Sequence, residues 1–332
     1  MPVSTISKFR KKTESLENKN KSQIVNPLKV FIMTTAINYN QEDIDYNVYY
    51  QYVTVEGIQI GYREAGLSNQ NVLFLLHGYP SSSVMFKMII PVLAKHFRVI
   101  ALDLPAFGFS DIPSEDDFDY TFKNYGELIS AFMLQMEISK ASFYLFDYGA
   151  PILMHSIVEN PDRVEMLIFQ NRNIYTEGVG DKLKEIKKLY DDNTNESALQ
   201  LNKFFELDYT KWEYLNGVTN KNRIMPETYL LDQFLLEREG VKNIQINLKR
   251  DYRTNIELYP LWQETLKKIQ PPTLIAWGEN DEFFKREGAE LLHRDIPNSK
   301  LIFYPTGHFA LEEFGLEIAN EIIAFWQLNF KD

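Results

Sequence analysis

Asp147, Asp281 and His308 each stand just past an apolar run, in an order that suits a nucleophile, a supporting acid and a base. Asp147 closes Ser142-Phe143-Tyr144-Leu145-Phe146 and leads through Tyr148-Gly149-Ala150 into the apolar-rich stretch Ile152 to Val158. The pattern is that of a strand turning sharply into a helix, and the small residues Gly149 and Ala150 let the two approach closely. A carboxylate at the tip of such a turn can displace a leaving group from an alkyl carbon and become an ester. It needs no base for that attack, because carboxylic acids are ionised at neutral pH. Asp281 in Gly278-Glu279-Asn280-Asp281 and His308 in Thr306-Gly307-His308-Phe309 supply an acid to orient a base and a base to activate water. Singly, an Asp in such a place is usually a turn former and a loop His is usually structural. Together with Asp147 they make a set. His77-Gly78-Tyr79-Pro80 closes another apolar run, where a loop aims the Tyr79 N–H at an oxyanion, with a second N–H from Tyr148.

These residues need strands that end along one rim. Val72 to Leu76 and Arg98 to Leu102 read as strands buried on both faces, with a helix predicted between them over Ser83 to Lys95. A helix over Asn124 to Gln135 and strands at Phe143 to Phe146, Val164 to Phe169, Thr273 to Trp277 and Leu301 to Tyr304 follow. Ahead of them, Tyr52 to Val55 and Ile58 to Tyr62 alternate as a hairpin joined by Glu56-Gly57. Strands alternating with helices imply an α/β fold with a mostly parallel, doubly wound sheet. Ligand sites in such sheets lie beyond the carboxyl ends of the strands. The rhythm breaks between Arg172 and Gln263, which is polar, Tyr-rich and helical in pattern. The expected organisation is a core of residues 46–171 and 264–332 with an inserted helical cap over 172–263.

Composition narrows the function classes. The chain has 332 residues, 45% hydrophobic and 24% charged, as in a globular protein of one large domain with an insertion. A net charge of -11 argues against nucleic acid or an anionic membrane as partner. There is no Cys, hence no thiol nucleophile, which fits a reducing, cytoplasmic setting. No apolar run approaches the ~20 residues of a membrane span. Residues 1–45 read as a flexible tail, dense in charge from Lys8 to Lys21. A secretory signal is the weaker reading of that tail, and Glu14 and Glu17 count against a transit peptide. No metal-ligand spacing and no Gly-rich phosphate loop is present, so no cofactor and no metal are expected.

Further segments carry a resemblance. His-Gly-Tyr-Pro at 77–80, Asp-Leu-Pro-Ala-Phe-Gly-Phe-Ser-Asp at 103–111, Phe-Asp-Tyr-Gly-Ala-Pro at 146–151, Trp-Gly-Glu-Asn-Asp at 277–281 and Gly-His-Phe-Ala-Leu-Glu at 307–312 form one series. Over residues 46–330 the chain resembles the α/β-hydrolase branch that contains epoxide hydrolases and haloalkane dehalogenases. The resemblance implies a two-step hydrolysis of a small apolar electrophile. Asp147 forms an alkyl ester, and His308, oriented by Asp281, activates the water that cleaves it. Some relatives place the acid after the preceding core strand, which here reads Gln170-Asn171 without a carboxylate.

The leaving group separates the two activities. An opened epoxide needs acidic O–H donors, supplied in epoxide hydrolases by two cap tyrosines. A halide needs N–H donors, typically a Trp after the nucleophile and an Asn in the His-Gly-Asn-Pro loop; this chain has Tyr148 and Tyr79 there. Asp251-Tyr252-Arg253-Thr254-Asn255 resembles the motif of one ring-opening tyrosine, so Tyr252 is the first proton-donor candidate and Tyr214 the second. Epoxide hydrolysis to a diol is the leading expectation. Dehalogenation, with Trp212 and Trp262 available to a halide, is the alternative, and a non-catalytic ligand-binding relative is the rival from another class. Leu145 and Ala106 depart from the family pattern, where smaller residues are commoner.

Overall fold

The computed structural model describes residues 47–192 and 194–331, so the tail expected over 1–45 lies outside the described residues. Eight strands form one sheet: β1 (Tyr49–Val55), β2 (Ile58–Ala65), β3 (Val72–Leu76), β4 (Arg98–Leu102), β5 (Ala141–Phe146), β6 (Val164–Gln170), β7 (Thr273–Gly278) and β8 (Ser299–Tyr304). Their order is β1-β2-β4-β3-β5-β6-β7-β8. β1 and β2 pair antiparallel, and β2 also lies antiparallel to β4. Every other neighbouring pair is parallel. Every residue of β3, β5 and β7 is buried, as expected of strands covered on both faces. The hairpin turn takes φ of 49° at Glu56 and 86° at Gly57, the positive pair that matches the twist of a two-residue hairpin.

The helix predicted over Ser83 to Lys95 is two short pieces, a 3-10 turn at Ser83–Phe86 and α1 at Ile90–Leu93. Pro91 explains the break, because it lacks an N–H to bond back to the preceding turn and so sits in the first turn of a new helix. Helix α2 (Phe122–Gln135) packs beside α3 (Gly149–Glu159), and α9 (Arg286–Asp295) and α10 (Ala310–Phe330) follow β7 and β8. Between β6 and β7 the chain runs through α4 (Asp181–Asp191), α5 (Asn195–Lys203), α6 (Leu207–Leu215), α7 (Pro226–Leu236) and α8 (Val241–Ile269), with no strand among the described residues. Helix α8 continues through Ile269, so the boundary expected at 263 falls inside it.

The sheet order places the site. After β3 the chain moves to β4 on one side, and β5 returns on the other side of β3. Loops leaving β3 and β5 therefore diverge and open a crevice at the carboxyl end of the sheet. The β3 loop carries Tyr79 and the β5 loop carries Asp147.

Candidate active site

Asp147 stands between β5 and α3 with φ of 39°, in the left-handed region that costs an L-residue roughly 1–2 kcal/mol. Two glycines make room for this turn. A Cβ on Gly149 would stand 2.5 Å from the Leu76 carbonyl oxygen, and one on Gly78 would stand 2.3 Å from the Cβ of Asp147. The buried carboxylate lies at the N-terminus of α3, whose partial positive charge favours an anion. Its two oxygens differ. Oδ1 accepts the Tyr79 N–H at 2.7 Å, whereas Oδ2 faces His308 Nε2 at 3.8 Å. The N–H of Tyr148, at the N-cap of α3, has no acceptor within the helix.

His308 follows β8, and its Nδ1 is 2.7 Å from Asp281 Oδ2. A carboxylate only accepts, so Nδ1 carries the proton and Nε2 of the neutral ring is left with a free lone pair on the side of Asp147, able to act as a base. Burial pushes the imidazole pKa down, but the charge and hydrogen bond of Asp281 and the charge of Asp147 outweigh it, so the net shift is upward. Phe146, Phe283, Phe284 and Phe309 close around the ring at centroid distances of 4.8, 5.2, 5.7 and 5.2 Å, which limits its rotation. Asp281 is itself fixed by the Phe283 N–H at 2.7 Å and by Asn171 Nδ2 at 2.9 Å. Asn171 Oδ1 accepts from Gly278 N–H and from Gln170 Nε2, and Gln170 Nε2 also donates to the His308 carbonyl. The position after β6, which lacks a carboxylate, thus anchors the carboxylate after β7. Sequence reasoning missed this role, although the amide pair standing where some relatives carry an acid was the signal for it.

A cavity opens above the nucleophile, lined by Asp147, His308, Tyr79, Tyr148, Tyr252 and apolar side chains of α4 and α8. The Tyr252 hydroxyl is 3.2 Å from that of Tyr259, and the Arg172 guanidinium lies 4.7 Å from the centre of the Tyr252 ring. Burial raises the Tyr252 pKa well above the ordinary phenol value, while the Arg172 charge opposes that rise. Tyr214 is not part of this cavity. Its fully buried hydroxyl donates to Asp232 Oδ2 at 2.5 Å, and its ring stacks on Phe309 at 4.0 Å with an interplanar angle of 10°. The face of α6 that carries it packs toward α7 rather than the cavity, which removes it as a proton donor. Tyr190 of α4 stands in the cavity wall instead, and its buried hydroxyl has no hydrogen-bond partner among the described residues. The spacing Leu183, Ile186, Tyr190 marks one helical face, and all three line the cavity. That periodicity was the available signal for Tyr190. Trp212 packs on Tyr209 and Phe283, and Trp262 on Tyr259 and His155; neither lines the cavity. Among the described residues no three His, Asp or Glu side chains are arranged to hold a metal ion.

Comparison with known proteins agrees with this architecture. Residues 71–314 match the alpha/beta hydrolase fold family. An uncharacterized hydrolase of Saccharomyces cerevisiae is 37% identical over 82% of this chain and 95% of its own. Epoxide hydrolase 3 of Mus musculus is 25% identical over 83% of this chain and 76% of its own. The crystal structure of the epoxide hydrolase CorEH superposes with a TM-score of 0.69 at 18% identity, covering 84% of this chain and 99% of that one. By its doubly wound sheet, its strand-to-helix turn and these matches, the chain belongs to the α/β-hydrolase fold family.

Proposed function

We propose that this hydrolase opens epoxides to diols through an ester on Asp147. The carrying observation is the unequal environment of the Asp147 oxygens, with Oδ1 held by a backbone N–H and Oδ2 facing His308 beside the Tyr252 cavity. Oδ2 attacks the less hindered ring carbon, the C–O bond breaks, and the alkoxide takes the hydroxyl proton of Tyr252, assisted by Tyr190. The ester carbonyl oxygen is then Oδ1, between the N–H groups of Tyr79 and Tyr148. Water gives a proton to His308 Nε2 as its oxygen adds to the ester carbon. Collapse of the adduct passes the proton of its new hydroxyl to the departing oxygen, which releases the diol and restores the carboxylate, and the proton on His308 returns to the Tyr252 phenolate. The helices between β6 and β7 act as the cap that supplies Tyr190 and Tyr252. Two relatives among the matches are themselves named as epoxide hydrolases, which supports the assignment. Dehalogenation is less favoured, because no Trp lines the cavity among the described residues.

The test is to trap the ester. The His308→Gln variant is incubated with a panel of epoxides and a panel of bromoalkanes, and the Asp147 peptide is examined by mass spectrometry. Adducts from epoxides are expected. Adducts from bromoalkanes alone would transfer the assignment to dehalogenation, and a folded variant with no adduct from either panel would remove the ester mechanism.

A further inference from the structure

Three cations reach the cavity from one helix without a carboxylate partner. Lys249, Arg250 and Arg253 line the cavity from adjacent turns of α8, and none forms an ion pair among the described residues. The other basic side chains of the lining, Lys184 and Lys187, are paired with Asp181 and Asp191. In a chain of net charge -11, such a local surplus is not a by-product of composition. Lys249 is the innermost of the three. Its Nζ lies 3.4 Å from the centre of the Tyr79 ring and 5.6 Å from that of Tyr148, the residues that flank the nucleophile. Glu213 of α6 faces the same space, buried, with Oε2 lacking any hydrogen-bond partner among the described residues.

The surroundings shift both groups. Burial pushes the Glu213 carboxyl well above the usual range; Lys249 and Lys182 oppose the shift, while Asp147 and Asp232 add to it. Burial lowers the Lys249 ammonium to about 8, against the pull of Glu213 and Asp147. Lys249 thus brings a cation, and Glu213 a buried carboxyl group, to one stretch of the cavity wall. With Arg250 and Arg253 beside it and no ion pair formed by any of the three among the described residues, Lys249 gives this partly dehydrated space a surplus of positive charge that matches an anion. It also offsets the repulsion that an anionic ligand would meet from Asp147.

We propose that the substrate is an epoxide carrying a carboxylate a few bonds from its ring, held by Lys249 beside Glu213. The apolar remainder lies against Leu183, Ile186 and Ile256. This assignment rests on ring opening at Asp147 and narrows its substrate. The position of Lys249 over Tyr79 sets the spacing, since a carboxylate at the far end of a long chain would lie outside it, by Arg250 and Arg253.

The test compares a short 2,3-epoxy acid with its methyl ester in the wild type, Lys249→Met, Lys249→Arg and Glu213→Gln. The wild type is expected to favour the acid in kcat/KM by about tenfold or more, the yield of one well-placed charge contact. Lys249→Met should abolish that preference through KM, whereas Lys249→Arg, which keeps the positive charge, and Glu213→Gln, which adds no negative charge, should retain it. A wild type that favours the ester, or an unchanged ratio in Lys249→Met, overturns the proposal. If neither compound is turned over and neither marks Asp147 in His308→Gln, the ring-opening reading has failed instead. The anion site is then read directly by calorimetry on Asp147→Asn with butyrate and butyramide. Preferential butyrate binding that Lys249→Met removes supports the site, and equal or absent binding overturns it.

Discussion

At the scale of single residues, the two oxygens of the Asp147 carboxylate have different neighbours, Tyr79 N–H on one and His308 on the other, and the proposed mechanism gives them different work. If Oδ2 attacks and water later adds to the ester carbon, the oxygen from water ends on Asp147. A single turnover in ¹⁸O-labelled water is therefore expected to label the Asp147 peptide and leave the diol unlabelled. Label in the diol would indicate direct attack of water on the epoxide. Tyr252→Phe should lower the ester-forming rate about 10²-fold or more, the usual worth of a positioned acid, as measured by single-turnover quenching. Tyr214→Phe should leave that rate unchanged. It strands the buried Asp232 carboxylate, whose pKa burial has pushed up to about 7, and should cost about 1–3 kcal/mol in urea unfolding. The pH dependence follows from His308. Its pKa is raised above 6.5, partly by Asp147, so its basic form is lost as pH falls through that raised value. Once Asp147 is an ester, its negative charge is gone and the shift is smaller. The acid limb of kcat, if ester hydrolysis limits turnover, should therefore lie at lower pH than the limb of kcat/KM.

At the scale of elements, the strand ends converge because β3, β5, β6, β7 and β8 run parallel and stop at one rim. That much was readable in the sequence, since each buried strand is a continuous apolar run followed by a loop bearing a polar residue. The set Asp147, Asp281 and His308 was readable for the same reason. Tyr214 was chosen and Tyr190 passed over, because the facing of a cap helix depends on what it packs against. Tyr214 belongs to the α6–α7 contact through Asp232, and only the packing reveals it. The bond from Asn171 to Asp281 was likewise invisible, as it joins residues 110 apart in the chain. Asn171→Ala is expected to lower kcat about 10- to 100-fold, the range seen when a group orienting a functional side chain is lost. The ester should accumulate in that variant, visible by mass spectrometry, because the affected step is the one His308 serves.

At the scale of the whole molecule, two apolar layers cover the sheet. Phe74, Phe132 and Phe143 belong to one, and Phe86, Tyr144 and Trp326 to the other. Phe74 is fully buried in β3, with ring centres 5.9 Å from Phe132 and 6.0 Å from Phe143. Phe74→Ala should cost about 3–5 kcal/mol, read as a lower urea midpoint. A much smaller loss would mean that the layer over β3 is loosely packed. The sheet was legible because burial on both faces leaves little freedom in residue type. The break of the Ser83 to Lys95 segment ahead of Ile90 was also encoded locally, since Pro91 starts a new helix and outweighs the apolar periodicity around it.

The pair of hydroxyls at Tyr252 and Tyr259 ends blind. Tyr259 is 1% exposed, so the chain of oxygens stops inside the protein rather than at its surface. A proton that leaves Tyr252 with the product cannot be replaced from bulk water along that route. In the proposed mechanism, water activation leaves an imidazolium at His308, across the same cavity, with one proton too many. If that mechanism holds, each cycle closes within the cavity, with the proton lost on one wall restored from the other, and the turnover rate is expected to be indifferent to the concentration of external buffer.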